Sequence, residues 1–156
     1  MQGKQSVHFL HIGKTGGTAI KYALKPFLAN DQYVIHLHPH KVTLRDIPVG
    51  ERVVFFLRDP VARFVSAFYS RQRQGQPRIF MPWTPNEQIA FALFDTPNKL
   101  ATCLSADDEI QKQRAVAAMN SIGHVRIHYC DWLGNEEYLI SRQADIMLIG
   151  VQESLA

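Results

Sequence analysis

Residues 7–28, VHFLHIGKTGGTAIKYALKPFL, decide how the rest of the chain is read. VHFLHI mixes β-branched, aromatic and apolar side chains as a buried strand does. The last ten residues place Ile20, Ala23, Leu24, Phe27 and Leu28 on one stripe of a helix that opens near Thr18. Between strand and helix, Gly13, Gly16 and Gly17 allow a sharp turn and leave main-chain N–H groups to face a ligand. The helix start adds the positive end of its dipole, and Lys14 adds a mobile positive charge. Strand, glycine turn with lysine, and helix together read as a cradle for an anion such as phosphate.

The turn is not a Walker A loop, whose GxxxxGK[ST] pattern puts the lysine after the glycines, whereas Lys14 precedes the Gly16–Gly17 pair. An ordinary P-loop kinase or GTPase is therefore disfavoured. A glycine turn can also simply join strand to helix, so a second motif has to decide.

Composition narrows the classes. A chain of 156 residues fits one domain and can bury a sizeable core. No tract of eighteen apolar residues and no signal-peptide pattern occurs, so no membrane association is expected. The 2 cysteines, Cys103 and Cys130, lack CxxC spacing, which predicts buried free thiols and a cytoplasmic protein. The net charge of +3 is small, but Arg58, Arg63, Arg71, Arg73 and Arg78 fall close together, favouring an anionic ligand at one face. No nucleic-acid-binding module is present, so nucleic acid is not an expected partner.

Further along, residues 33–37 read as a second, parallel strand, followed by alternating His36, His38 and His40 with Pro39 closing the strand. Residues 43–47 form at most a short helical turn. RVVFFL, residues 52–57, is the continuous apolar run of a central parallel strand. It ends in Arg58-Asp59-Pro60, where Asp59 can cap a helix whose first residue is Pro60. That helix would bury Val61, Phe64, Val65, Phe68 and Tyr69, with Arg63, Ser66 and Ser70 on a polar face. A guanidinium at a strand's carboxyl end and a hydroxyl on the next helix can both reach an anion at the sheet edge, the usual ligand crevice of open parallel sheets.

HIGKTGGTAI followed by VVFFLRDPVARFVSAFY resembles the sulfotransferases that use 3′-phosphoadenylyl sulfate (PAPS), particularly the carbohydrate-type branch that includes the heparan sulfate 2-O-sulfotransferases. The resemblance implies an α/β fold with a mainly parallel sheet, helices on both faces and a P-loop-like nucleotide-binding core. It implies transfer of a sulfuryl group from PAPS to an acceptor hydroxyl, with a saccharide as the acceptor class, and without a metal. By matching position, Lys14 would contact the oxygen bridging phosphate and sulfate. Thr15, Gly16, Gly17 and Thr18 would wrap the 5′-phosphate, and Arg58 and Ser66 would hold the 3′-phosphate. Family members carry a histidine base between the two motifs, which makes His38 and His40 the candidates ahead of His36, the deepest in its strand.

The remainder is less telling. Trp83 can stack on a sugar ring or pack into the core. Residues 86–94, 98–104 and 107–122 read as helices, and residues 146–151, IMLIGV, as another apolar strand. His124, His128, Cys130 and Asp131 fit no strong ligand spacing, and no metal is expected. Family members continue past the equivalent of the last strand, so the resemblance implies a single sulfotransferase-like domain, residues 1–156, shortened at its C-terminus. Two other readings stay open. One is a module that binds adenosine 3′,5′-bisphosphate without turnover. The other is a nucleotide-dependent phosphotransferase, which needs Mg²⁺ and a carboxylate to hold it, a role for which only Asp59 is suitably placed.

Overall fold

The computed structural model describes residues 3–155. They form two compact units, one of residues up to 59 together with those from 128 onward, the other of residues 60–127.

The first unit is α/β. Its sheet has four strands in the order β2-β1-β3-β4: β1 (Gln5–Leu10), β2 (Tyr33–Leu37), β3 (Arg52–Leu57) and β4 (Ile146–Val151). Every pairing is parallel. β2 and β3 coincide with the expected runs, whereas β1 starts and stops two residues earlier than VHFLHI suggests, leaving His11 and Ile12 in the loop that follows. Register sets the faces. His8 lies level with His36 on β2 and Val53 on β3, and Phe9 level with Leu37 and Val54. Since side chains alternate across a strand, His8, His36, Val53 and Phe55 share one face, and Val7, Phe9 and Leu37 the other. The core gathers around Phe9, Leu10, Ile12, Leu44, Ile47, Val53 and Phe55, all buried.

β4 is one of the two edge strands, paired only with β3. Its Met147, Leu148, Ile149 and Val151 are exposed, although the segment is as apolar as β3. Beside it, buried Arg142 fastens the approaches to β3 and β4 together. It donates to Asp145 at 2.6 Å, to the Leu44 carbonyl at 3.0 Å and to the Pro48 carbonyl at 3.1 Å.

Helix α1 (Gly17–Leu24) is shorter than its apolar stripe suggests. Phe27 is 65% exposed, and Ala23 and Leu28 are exposed too. The reason is Pro26, which cannot donate to the helical ladder: residues 25–27 tighten into a 3-10 turn, and the later apolar residues leave the helical stripe. The expected turn near residues 43–47 is a 3-10 turn over Leu44–Asp46. Two short helices complete the unit, α6 (Tyr129–Leu133) and α7 (Glu136–Ser141). Neither has a periodic apolar stripe long enough to be read from sequence. Cys130 is exposed rather than buried, because α6 turns Trp132 and Leu133 inward instead.

The second unit holds α2 (Pro60–Gln72), α3 (Pro85–Leu93), α4 (Pro97–Leu104) and α5 (Glu109–Ser121), within about two residues of the expected helices. Proline at N1 and threonine caps explain the sharp starts of α3 and α4: Thr84 accepts from Glu87 N and Thr96 from Lys99 N. The core joins Phe68, Ala90, Phe91, Phe94, Leu100, Ala115 and Ile122. Trp83 takes the packing role, its ring 5.0 Å from that of Phe91 and its indole N–H donated to the Arg71 carbonyl at 2.8 Å.

The buried stripe of α2 differs from expectation. Val61 is 68% exposed and Tyr69 is exposed as well, while Arg63, Ala67, Phe68 and Arg71 are buried. The arginines turn inward because partners wait there. Arg63 donates to the Ile127 carbonyl at 2.9 Å. Arg71 makes a two-pronged pair with buried Glu87, 2.7 Å on each prong. Burial pushes the Glu87 carboxyl up, but the Arg71 guanidinium and the amides of Thr84 and Gly123 outweigh it and hold the group down at about 2.

No helix among the described residues is long and apolar enough to cross a membrane.

Candidate functional site

The carboxyl ends of β1 and β3 are adjacent in the sheet, so the segments that leave them are neighbours. After β1 the chain makes a tight turn. Lys14 adopts φ 70° and Gly16 φ 79°, the left-handed region that L side chains enter at a cost of about 1–2 kcal/mol. A non-glycine residue persists there only where its surroundings hold the backbone in place. Gly17 is required by close approach: a Cβ at this position would sit 2.2 Å from the ring of buried His11. Gly16 then caps α1, so the positive end of the helix dipole opens onto the turn beside Lys14.

Thr15 is 1% exposed, and its hydroxyl donates to the Ile12 carbonyl at 2.9 Å. It locks the turn, so any contact it makes with an anion has to come from its main chain. Gly16 and Thr18 are half-buried, and Gly17 is buried.

Arg58 follows β3 directly. Its main chain is clamped by the Tyr129 hydroxyl, which accepts from Arg58 N at 3.1 Å and donates to Arg58 O at 2.7 Å. Its Nη1 donates to the Lys14 carbonyl at 3.5 Å. The two sequence motifs, 44 residues apart, therefore meet at one sheet edge. Glu153, just past β4, lies 3.9 Å from Arg58 Nε and accepts from Asp59 N at 3.1 Å. Ser66 is half-buried on α2, in the second unit.

The histidines form two groups. His8 of β1 is flanked by the nearly parallel rings of His36, at 4.7 Å, and His38, at 5.0 Å. His8 Nδ1 and His38 Nε2 share a hydrogen bond of 2.7 Å, and the other nitrogen of His8 bonds to Glu51. His38 continues the ladder past β2, donating its N–H to Phe9 O at 3.1 Å, and its carbonyl accepts from Lys21 of α1 at 3.1 Å. Burial lowers the pKa of His38, and the nearby His8, His36 and Lys21 lower it further against a small opposing pull from Asp46. These surroundings favour the neutral imidazole. His40 belongs to the second group: its ring lies 3.6 Å from that of His11, and its carbonyl accepts from the Trp132 indole at 2.8 Å.

His8, Glu51 and Tyr129 are additions that sequence reasoning did not supply. Only His8 left a trace, as a polar residue at an inward position of an otherwise apolar strand. Asp131 accepts from the His128 main chain at 2.6 Å and closes the start of α6. Among the described residues no group of three or more His, Cys, Asp or Glu side chains is arranged to hold a metal ion.

No protein-family model matches the chain, and neither a curated protein nor a solved structure matches it significantly.

Proposed function

We propose that the protein is a PAPS-dependent sulfotransferase acting on a hydroxyl acceptor, with a saccharide as the acceptor class, and that the turn after β1 is its P-loop-like nucleotide cradle. The observation that carries this reading is the meeting of Arg58 with the Lys14 turn, 3.5 Å apart at the carboxyl edge of a parallel sheet. A helix start, a lysine and an arginine converging there suit a ligand with more than one anionic group.

In this reading the main chain from Thr15 to Thr18 holds the 5′-phosphate and Arg58 holds the 3′-phosphate. Lys14 lies against the bridging oxygen. As the acceptor oxygen bonds to sulfur, the bond from sulfur to the bridging oxygen breaks, and the electron pair stays on the departing phosphate. Lys14 stabilises that growing charge, which is where electrostatic catalysis is most effective. The acceptor's proton goes to a histidine, His38 or His40, whose ordinary pKa near 6.5 suits a base at neutral pH.

The test is transfer of ³⁵S from labelled PAPS to a panel of saccharides, with EDTA present. The expected result is labelled saccharide from the wild type and a rate lower by roughly a hundredfold or more in Lys14→Ala, with nucleotide affinity changed far less. Binding of adenosine 3′,5′-bisphosphate with no label transferred to any acceptor would point instead to a non-catalytic binding module.

A further inference from the structure

Glu51, His8 and His38 lie in a single hydrogen-bonded row. A carboxylate at neutral pH only accepts, so the nitrogen that His8 turns to Glu51, Nε2, carries a proton. In the neutral form of His8, which has one N–H, Nδ1 is bare and accepts from His38 Nε2 at 2.7 Å. His38 must then be protonated on Nε2 and bare on Nδ1. Its Nδ1 makes no hydrogen bond among the described residues.

We propose that Glu51 and His8 are positioning residues that hold His38 in the Nε2–H tautomer and so make its Nδ1 the proton acceptor of the site. This assignment of the base rests on the sulfotransferase reading; the tautomer itself does not. When the acceptor hydroxyl attacks sulfur, its O–H bond breaks and the proton moves to His38 Nδ1. The ring becomes an imidazolium whose Nε2–H already points at His8, with the Glu51 carboxylate one ring further on to balance the charge. The ionisable groups facing His38 are His8 and His36 in the sheet, Lys21 on α1, and Asp46 in the 3-10 turn before β3. Burial and the Lys21 ammonium favour a neutral His38 before the reaction, as a base requires. Third-group orientation of a base by a carboxylate is a general device for fixing which nitrogen is free.

The experiment has two arms. In the first, ¹⁵N NMR of the ring nitrogens of the whole protein at pH 7.5 reads the tautomer of His38. The expected result is Nε2–H in the wild type, a mixture in His8→Leu, and partial recovery in His8→Asn, whose amide oxygen can accept in place of Nδ1. A wild-type His38 that is Nδ1–H, or a mixture that Glu51→Ala leaves unchanged, overturns the proposal whatever the protein's activity. In the second arm, ³⁵S transfer is followed against pH. His38→Ala should lose roughly a hundredfold or more in rate, and Glu51→Ala roughly tenfold or more. In Glu51→Ala the acid limb should also move to lower pH, because a negative charge that favours the imidazolium is gone. Loss of rate in His40→Ala with normal turnover in His38→Ala would contradict the assignment of the base while leaving the sulfotransferase reading intact.

Discussion

The Arg58 guanidinium donates to the carbonyl of Lys14, so the residue that follows β3 braces the residue that turns the chain after β1. Arg58→Ala removes both this brace and the guanidinium that we propose for the 3′-phosphate. A hydrogen bond to a charged group is worth about 1.5–3 kcal/mol, so affinity for adenosine 3′,5′-bisphosphate should fall at least about tenfold. Affinity for AMP, which has no 3′-phosphate, should fall less. Titration calorimetry on the variant with each nucleotide checks this.

Gly17 admits no side chain. Its Cβ would stand 2.2 Å from Cδ2 and 2.5 Å from Nε2 of His11, a ring that is itself buried. Gly17→Ala should therefore destabilise the protein by about 1–3 kcal/mol, the usual range for an overpacked core. Gly50→Ala makes the contrast. Its Cβ would meet nothing, so only the backbone cost of φ 91° applies there. Urea denaturation of the two variants separates crowding from backbone strain.

The buried pair in the second unit predicts an acid response. Glu87 is held at about 2 against an ordinary 4.5, so its carboxylate stabilises the fold fully above pH 4.5. That contribution is lost as pH falls toward 2. Glu87→Gln leaves Arg71 buried without its counter-charge and should cost about 3–5 kcal/mol at pH 7. Following helix content against pH should show the variant less stable at neutral pH and flatter below pH 4.5.

His38 gives the opposite kind of signal nearer neutrality. Its pKa lies below the ordinary 6.5 in the folded protein, so between the two values the unfolded chain binds more protons. Stability should rise with pH through that window and fall on acidification below about 6.5. In His38→Asn this dependence should shrink, as thermal melts taken from pH 5 to 7.5 would show.

Much of the first unit was legible because its signals are local. The apolar run of residues 52–57 matches β3; in the second unit, Pro60 likewise matches the start of α2. The glycine turn was legible for the same reason, since Gly16 takes a positive φ and Gly17 a close contact. What sequence did not reveal depends on partners far along the chain. Arg63 reads as a polar-face residue and Arg71 as one of a cluster of arginines facing an anion, until Ile127 and Glu87 are in place to receive them. His8 and Glu51 stand 43 residues apart, and only the registry of β1 against β2 and β3 brings the row to His38. Tyr129 lies 71 residues from the arginine it clamps. Thr15 reads as a phosphate contact, and only its burial shows that its hydroxyl is committed to Ile12.

Titration of the wild-type protein with adenosine 3′,5′-bisphosphate and with AMP, each without metal, tests the central claim most directly. The two ligands differ only in the phosphate assigned to Arg58. With a charge-assisted bond worth about 1.5–3 kcal/mol, the bisphosphate should bind at least about tenfold more tightly. It should also raise the melting temperature correspondingly more at equal concentration. Equal affinities, or binding that appears only with ATP and Mg²⁺, would contradict the account.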